Sequence, residues 1–247
     1  MAPDTPASPP ILGNRPLLIG MVHLGPAPGS PAFDGTPAWI ENAMEDAVVL
    51  AEAGFDALLV ENFGDAPFFA GRVPAETVAA MTLAAALVSD LLPKEIAVGV
   101  NVLRNDAESA LAVAAVAPAD FVRVNVLAGA YVTDQGVIEG RAAEVARTRA
   151  RLAAHVQVFA DLRVKHARPL AERPLADEAC ELVERAGADA VIVSGSATGA
   201  AVDEQELAAV RAAIGEHPLL IGSGATAANI ADLLRHADGA IVGTALK

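Results

Sequence analysis

The stretch IAVGVNV at residues 96–102 alternates bulky side chains with small or polar ones. Isoleucine and valines occupy the even positions, whereas Ala97, Gly99 and Asn101 occupy the odd positions. Successive side chains of a strand point to opposite faces, and a barrel strand turns one face to the interior and the other to helices. The stretch therefore favours a closed barrel over an open doubly wound sheet.

Short apolar runs of this kind alternate with longer amphipathic segments along the whole chain, as in repeated βα units. Strands are predicted at Leu17–Val22, Phe55–Val60, Ile96–Val102, Phe121–Val126, Val156–Leu162, Ala190–Val193, Leu219–Ile221 and Gly239–Val242. Helices are predicted at Ala38–Ala53, Ala75–Leu91, Ala107–Val116, Gly140–Ala153, Leu175–Ala186, Glu204–Ala213 and Ala227–His236. We predict a flexible tail over residues 1–15 and one (β/α)8 barrel domain over residues 16–247, its last helix short or missing.

Composition and charge restrict the function classes. The chain is 53% hydrophobic but only 4% aromatic, which suits a core of many small side chains in layers. A net charge of −14 opposes binding to nucleic acid or anionic lipid. The apolar runs are shorter than the ~20 residues of a membrane span, and the start of the chain lacks a secretory pattern. We expect a cytoplasmic protein, and homo-oligomerisation is left open.

The end of each predicted strand carries a polar residue on the inward face. These residues are His23, Glu61, Asn101, Arg123 with Asn125, Asp161 with Lys165, Ser194, Ser223 and Thr244. Because the carboxyl ends of barrel strands form the usual active site of this fold, we expect one ring of convergent polar groups there.

Two glycine-rich loops follow the seventh and eighth predicted strands. The first is IGSGAT at residues 221–226, with Gly222, Ser223 and Gly224, and the second contains Gly243 and Thr244. Glycines let backbone amides approach an oxyanion closely, and these two loops commonly bind phosphate in barrels. We predict a small anionic, phosphorylated ligand here. The loop SGSATG at residues 194–199, beginning with Ser194, could contact the same ligand.

The fifth predicted strand ends in DLRVKH at residues 161–166. Asp161 and Lys165 share one face, so a carboxylate and an amine could do acid–base work together, or Lys165 could form a Schiff base. A structural ion pair, with His166 as a packing or capping group, is the alternative.

Asn101 and Arg104 resemble a substrate-binding pair, since arginine offers a planar fork to an anion and asparagine an amide to hydroxyls. Asn105 or Asp106 would cap the next helix. Arg123 and Asn125 lie among valines, so a buried arginine needs a partner, for which Glu61 or Asp161 is the candidate.

His23 and Glu61, followed by Asn62, complete the ring. The residues that we assign to substrate binding are Asn62, Asn101, Arg104, Arg123, Asn125, His166 and Ser194. With Asp161 and His166 they would suit a divalent cation chemically. No close spacing of metal ligands is present, so we assign His23 and Glu61 to hydrogen bonding and acid–base work; no cofactor is required by the sequence.

The motifs together resemble the BtpA/SgcQ family over roughly Leu17–Lys247. They are GMVHL with PGS at residues 20–30, ENFGDAPF at 61–68, GVNVLRND at 99–106, RVNV with GA at 123–130, VKHA at 164–167, and GSG at 222–224 through GTALK at 243–247.

The resemblance implies a barrel fold and two different descriptions of function. The founding member is described as a factor for biogenesis or stability of photosystem I, and SgcQ-like members as enzymes of sugar or nucleoside metabolism. Our leading hypothesis is an enzyme (lyase, isomerase or glycosyl-bond-cleaving) acting on a phosphosugar or nucleoside-like metabolite. An assembly factor and a metabolite-binding protein without activity remain the alternatives.

Overall fold

The computed structural model describes residues 11, 13, 16–195 and 202–243, and within them eight parallel strands close into a barrel. The barrel strands, in spatial order, are β1 (Leu17–His23), β2 (Ala57–Glu61), β3 (Ala97–Asn101), β4 (Phe121–Val124), β7 (Gln157–Leu162), β9 (Ala190–Val193), β10 (Leu219–Ile221) and β11 (Gly239–Val242). Pairing of Ile19 with Ile241 closes the ring between β1 and β11. The predicted barrel is confirmed, each strand lying within two residues of its predicted bounds.

Helices connect successive strands on the outside. They are α1 (Ala38–Glu52), α2 (Ala75–Leu91), α3 (Ala107–Val116), α4 (Ala142–Leu152), α5 (Leu175–Glu184), α6 (Glu204–Ile214) and α7 (Ile230–Leu233). Gly54 and Gly187, predicted to end helices, have φ of +85° and +74°, which side chains rarely adopt. The prediction for α7 is too long, since only four residues are helical. The prediction that the last helix is short or missing falls on residues 244–247, which lie outside the described residues.

The alternation predicted for residues 96–102 is confirmed by the packing. Val98, Val100 and Val102 belong to the core between barrel and helices, whereas Ala97 packs against the separate core inside the barrel. A Cβ on Gly99 would lie 2.2 Å from the Phe121 ring. Glycine at this position therefore leaves room for Phe121, whose ring stacks on Phe159 at 4.7 Å in the barrel interior.

Four aspartates repeat one hydrogen bond at the amino-terminal end of the barrel. They stand just before the second, fourth, sixth and eighth strands of the barrel, which are β2, β4, β9 and β11. Each accepts a backbone N–H of the preceding barrel strand: Asp56 from Leu18, Asp120 from Val98, Asp189 from Val158 and Asp238 from Leu219, at 2.7–2.9 Å. The backbone N–H of each aspartate donates back to the carbonyl of the same residue. These paired bonds fix neighbouring strands against each other, and our sequence analysis did not anticipate them.

A small antiparallel sheet, also not predicted, lies at the opposite, carboxyl-terminal end. It consists of β5 (Ala130–Thr133), β6 (Gly136–Glu139) and β8 (Ala167–Pro169) in the order β6-β5-β8. Tyr131 and Ile138 of this sheet pack on Val126 and Val164 in a core of their own. The sheet places the turn between β5 and β6 beside the mouth of the barrel.

Candidate functional site

A cavity of about 570 Å³ opens at the carboxyl ends of the barrel strands. Its charged or titratable lining residues are His23, Glu61, Arg104, Arg123, Asp134, Lys165 and His166. Two of these, Arg104 and Arg123, are permanently charged arginines and a third, Lys165, is a lysine, in a chain whose net charge is −14. The cavity wall is thus locally richer in positive charge than the molecule, which favours an anionic ligand.

A buried network of hydrogen bonds forms the floor beneath this cavity. The guanidinium of Arg123 donates to both oxygens of Asp161, at 3.1 and 3.0 Å, and the amide of Asn125 donates to Asp161 Oδ2 at 2.7 Å. Asn101 in turn donates to the carbonyl of Arg123 at 3.0 Å. We predicted Glu61 or Asp161 as the partner of Arg123, and in the structure the partner is Asp161.

Asp161 is therefore enclosed rather than exposed to the cavity. Its side chain has 0% of its surface accessible. A carboxylate whose two oxygens accept three donors in a buried site holds its partners in place. Asp161 is not among the residues that line the cavity, and it orients Arg123 and Asn125, which do line it. Its catalytic role stays a prediction.

Glu61 lies at the end of β2, is buried, and lines the cavity. Burial raises the pKa of Glu61, and the nearby Arg123 opposes this shift. His23 Nε2 lies 3.6 Å from Glu61 Oε1. The two residues are neighbours because β1 and β2 pair in register, His23 opposite Glu61. They form a carboxyl–imidazole pair that can hold and transfer a proton at the cavity wall.

Lys165 reaches the cavity because the chain leaves the strand pattern after β7. Arg163 has φ of +59°, and its guanidinium donates to Glu178 at 2.9 Å, away from the cavity. Lys165, two residues later, lines the cavity. Its pKa is lowered by burial and then by the charge of Arg123. A lysine with a lowered pKa has a larger neutral fraction, which acid–base or nucleophilic chemistry requires.

Arg104 joins the loops after β3 and β7. Its guanidinium donates to the carbonyl of Lys165 at 2.5 Å, and the residue lines the cavity. Asp106, next in the same loop, caps α3 by accepting the N–H of Ser109 at 3.0 Å, so its predicted capping role is confirmed. The amide group of Asn105 instead bonds both backbone groups of Val126.

The loop of Gly222, Ser223 and Gly224, which we call the glycine loop, forms another part of the wall. Between described residues, no hydrogen bond engages the backbone N–H groups of Ser223 or Gly224. Asn229 holds the loop by donating to the carbonyl of Gly224 at 2.9 Å. Within the described part of the chain, these two amides therefore have no partner.

The inward face after β10 differs from the one predicted, while the phosphate site itself stays a prediction. After β10, Gly222 and not Ser223 faces the barrel interior. A Cβ on Gly222 would lie 2.5 Å from Ile192, which belongs to the core inside the barrel. The Oγ of Ser223 accepts the N–H of Gly195. The next helix, α7, begins only at Ile230. Gly243 lines the cavity, and Thr244 lies outside the described residues.

Three predicted ligand contacts lie below or behind the cavity wall. Asn62 accepts the N–H of Leu103 at 2.7 Å and braces the loop after β3. Asn101 Oδ1 and Ser194 Oγ are buried without a partner among the described residues. None of the three lines the cavity. His166 does line it, but is exposed.

Several residues of the wall were not predicted, among them Phe63, Phe68, Asp134 and Gln135. A signal for the first two was present, since three of the seven phenylalanines fall within residues 63–69. No local signal marks the other two, because they reach the cavity only through the antiparallel sheet.

Two kinds of feature are absent from the part of the chain that the structure describes. No group of three or more His, Cys, Asp or Glu side chains is placed to hold a metal ion there. No helix in that part of the chain is long and apolar enough to cross a membrane.

The chain is similar to proteins of archaea and cyanobacteria along most of its length. An uncharacterised protein of Thermococcus kodakarensis is 48% identical over 237 residues, covering 95% of this chain and 88% of that protein. The photosystem I biogenesis protein BtpA of Synechocystis is 46% identical over 231 residues, covering 93% of this chain and 80% of that protein.

Among solved structures, phosphoribosyl anthranilate isomerase of Thermus thermophilus superposes with a TM-score of 0.57 at 14% sequence identity, covering 94% of this chain and 88% of that one. At this identity the similarity supports the barrel fold alone. The model of the BtpA family matches residues 14–247, and with the Synechocystis relative it shows that this chain belongs to the BtpA family.

Proposed function

We propose that this BtpA-family barrel is an enzyme acting on a phosphorylated sugar or nucleoside-like metabolite. The phosphate binds the glycine loop together with the loop at Gly243, and the reacting part of the ligand lies against Glu61, His23 and Lys165. The observation that carries the proposal is that one cavity is lined by a loop whose backbone amides have no partner among the described residues and, on the same wall, by a buried carboxyl and a half-buried amine.

The phosphate assignment is supported by the amides of Ser223 and Gly224 and by the excess of positive charge on the wall. Backbone amides and an arginine fork are the groups that bind phosphate oxygens in proteins. The solved neighbour named above acts, by its name, on a phosphoribosyl compound, which is consistent with a phosphorylated ligand.

The acid–base assignment rests on two opposite pKa shifts in one cavity. Burial raises the pKa of Glu61 and lowers that of Lys165, which moves both groups toward neutral pH. Such a pair can remove a proton at one atom of a ligand and return it at another, as isomerisation and bond cleavage both require. Asn125 and Arg123 position the ligand from the floor, held by Asp161.

The test is turnover of a panel of phosphosugars and nucleoside phosphates by the wild type and by Glu61→Gln and Lys165→Met. We expect turnover in the wild type and a loss of about 100-fold or more in each variant, because general acid–base groups contribute about 10²–10⁴-fold. Lys94→Met, which changes an exposed lysine, is the matched control and should keep full activity. Equal turnover by wild type and both variants would remove these roles.

The name of the Synechocystis relative favours a second candidate, an assembly or stability factor for a protein complex. The antiparallel sheet offers an exposed apolar face, where Val132 and Val137 are paired across β5 and β6. A factor of this kind should tolerate Glu61→Gln and Lys165→Met and lose partner binding when Val132 and Val137 become Ser. Complementation of a strain lacking the gene separates the two functions.

A further inference from the structure

Phe63 is an exposed aromatic side chain at the edge of the cavity. It is 56% exposed, although the chain contains only nine aromatic Phe, Trp and Tyr residues. One side of its ring stacks on His23, with centroids 4.6 Å apart and planes at 27°. Phe63 and Phe68 both line the cavity, so an apolar ring surface faces any ligand that enters.

The loop that carries Phe63 is fixed in place before any ligand binds. Residues Phe63–Asp65 form a 3-10 turn. Gly64 lies so close to the segment beginning at Gly25 that a Cβ would come within 2.3 Å of its backbone. The carboxylate of Asp65 accepts the N–H of Ala27 at 3.1 Å and the side-chain amide of Asn62 at 3.2 Å. An aromatic ring held rigidly at a cavity loses little conformational entropy when it stacks on a ligand.

The wall also carries polar groups suited to the edge of a ring. Gln135 and Asp134 extend from the turn between β5 and β6 into the cavity lining. Gln135 Nε2 donates to Asp134 Oδ2 at 2.5 Å, whereas Gln135 Oε1 is buried without a partner among the described residues. Burying a carboxamide oxygen unpaired costs free energy, and a rotation of the Gln135 side chain toward the cavity would let this oxygen accept an N–H from a heterocycle.

We propose that the ligand carries a planar ring as well as its phosphate, and that Phe63 stacks on this ring while Gln135 bonds its edge. The proposal rests on the proposed function, since it adds a second recognised group to a ligand already anchored by phosphate. It distinguishes nucleotide-like phosphate esters from open-chain or simple phosphosugars. Phosphate would be bound by the glycine loop, and the ring by the loop after β2.

The test measures binding by calorimetry with AMP, UMP, adenosine, ribose 5-phosphate and inorganic phosphate. We expect AMP or UMP to bind the wild type at least tenfold more tightly than ribose 5-phosphate. Phe63→Leu should weaken the nucleotide by roughly 5- to 150-fold, the range for loss of one stacked aromatic, and leave ribose 5-phosphate unchanged within twofold. Phe69→Leu is the matched control, because Phe69 is also 56% exposed but does not line the cavity.

Each outcome decides between the two proposals. If ribose 5-phosphate binds as tightly as both nucleotides, or Phe63→Leu weakens both kinds of ligand equally, the ring is not recognised and the phosphate proposal alone stands. If adenosine binds as tightly as AMP, the ring proposal stands and the phosphate assignment is overturned. Absence of binding by all five probes overturns both. Should Phe63→Leu fail to fold, Phe63→Trp replaces it: retained or stronger nucleotide preference supports stacking, and loss of the preference refutes it.

Discussion

Asp120→Ala removes one of the four carboxylates that accept a backbone N–H from the preceding strand. The N–H of Val98 then loses an acceptor at 2.8 Å, and Val98 is buried, so water does not replace it. A hydrogen bond to a charged group contributes about 1.5–3 kcal/mol, and an unsatisfied buried donor costs a similar amount. We therefore expect unfolding free energy to fall by about 1.5–3 kcal/mol, or the melting temperature by about 3–12 °C for a chain of this size.

Urea unfolding followed by circular dichroism measures this loss, with two companion variants. Asp120→Asn keeps an acceptor oxygen without its charge and should lose about half as much, since charged hydrogen bonds are about twice as strong as neutral ones. Asp90→Ala changes an exposed carboxylate in the last turn of α2 and should stay within about 0.5 kcal/mol of the wild type. Equal midpoints for Asp120→Ala and Asp90→Ala would refute the reasoning.

Three further predictions concern the site and the core. Burial raises the pKa of Glu61, so the folded state binds the proton of the Glu61 carboxyl more tightly than the unfolded state does. The stability that this protonation contributes is lost as pH rises from the ordinary glutamate pKa through the raised pKa. Glu61→Gln should therefore melt above the wild type at neutral pH and converge with it in acid; parallel melting curves at all pH values would contradict this. Gly99→Ala places a methyl group on Phe121 and should cost about 1–3 kcal/mol in urea unfolding, whereas Gly71→Ala, which meets nothing within 4 Å, should be neutral. Gly243→Ala places a methyl group 3.0 Å from Cγ and 3.3 Å from Cβ of buried Met21, which must shift slightly to admit it. We expect a small loss of melting temperature and weaker phosphate binding by calorimetry; unaltered affinity would place the phosphate elsewhere.

The barrel was predictable because its signals are local. Alternation with a period of two residues follows from strand geometry, and it set the strand bounds and the interior face at residues 96–102. Helix ends marked by Gly54 and Gly187 follow from the conformations that glycine alone adopts easily. Convergence of His23, Glu61, Arg123 and similar residues at one end then follows from parallel strands.

The roles within the cavity were not predictable, because they depend on contacts between distant residues. Asp161 and Lys165 share one face in the sequence pattern, yet the first is enclosed by Arg123 and the second lines the cavity. The backbone of Arg163, which lies between them, is left-handed, so Asp161 and Lys165 no longer share one face. The guanidinium of Arg163 donates to Glu178, fifteen residues away.

The sequence alone determined the alternating pattern, the eight strands and the family of this protein, because backbone geometry and hydrophobic period act over a few residues. Tertiary structure alone decided that Phe63 and Gln135 meet at one cavity, that four aspartates tie strand to strand, and that Asp161 is inaccessible. These outcomes depend on which loop side chains find partners across the barrel, and that is fixed only when all eight strands have closed.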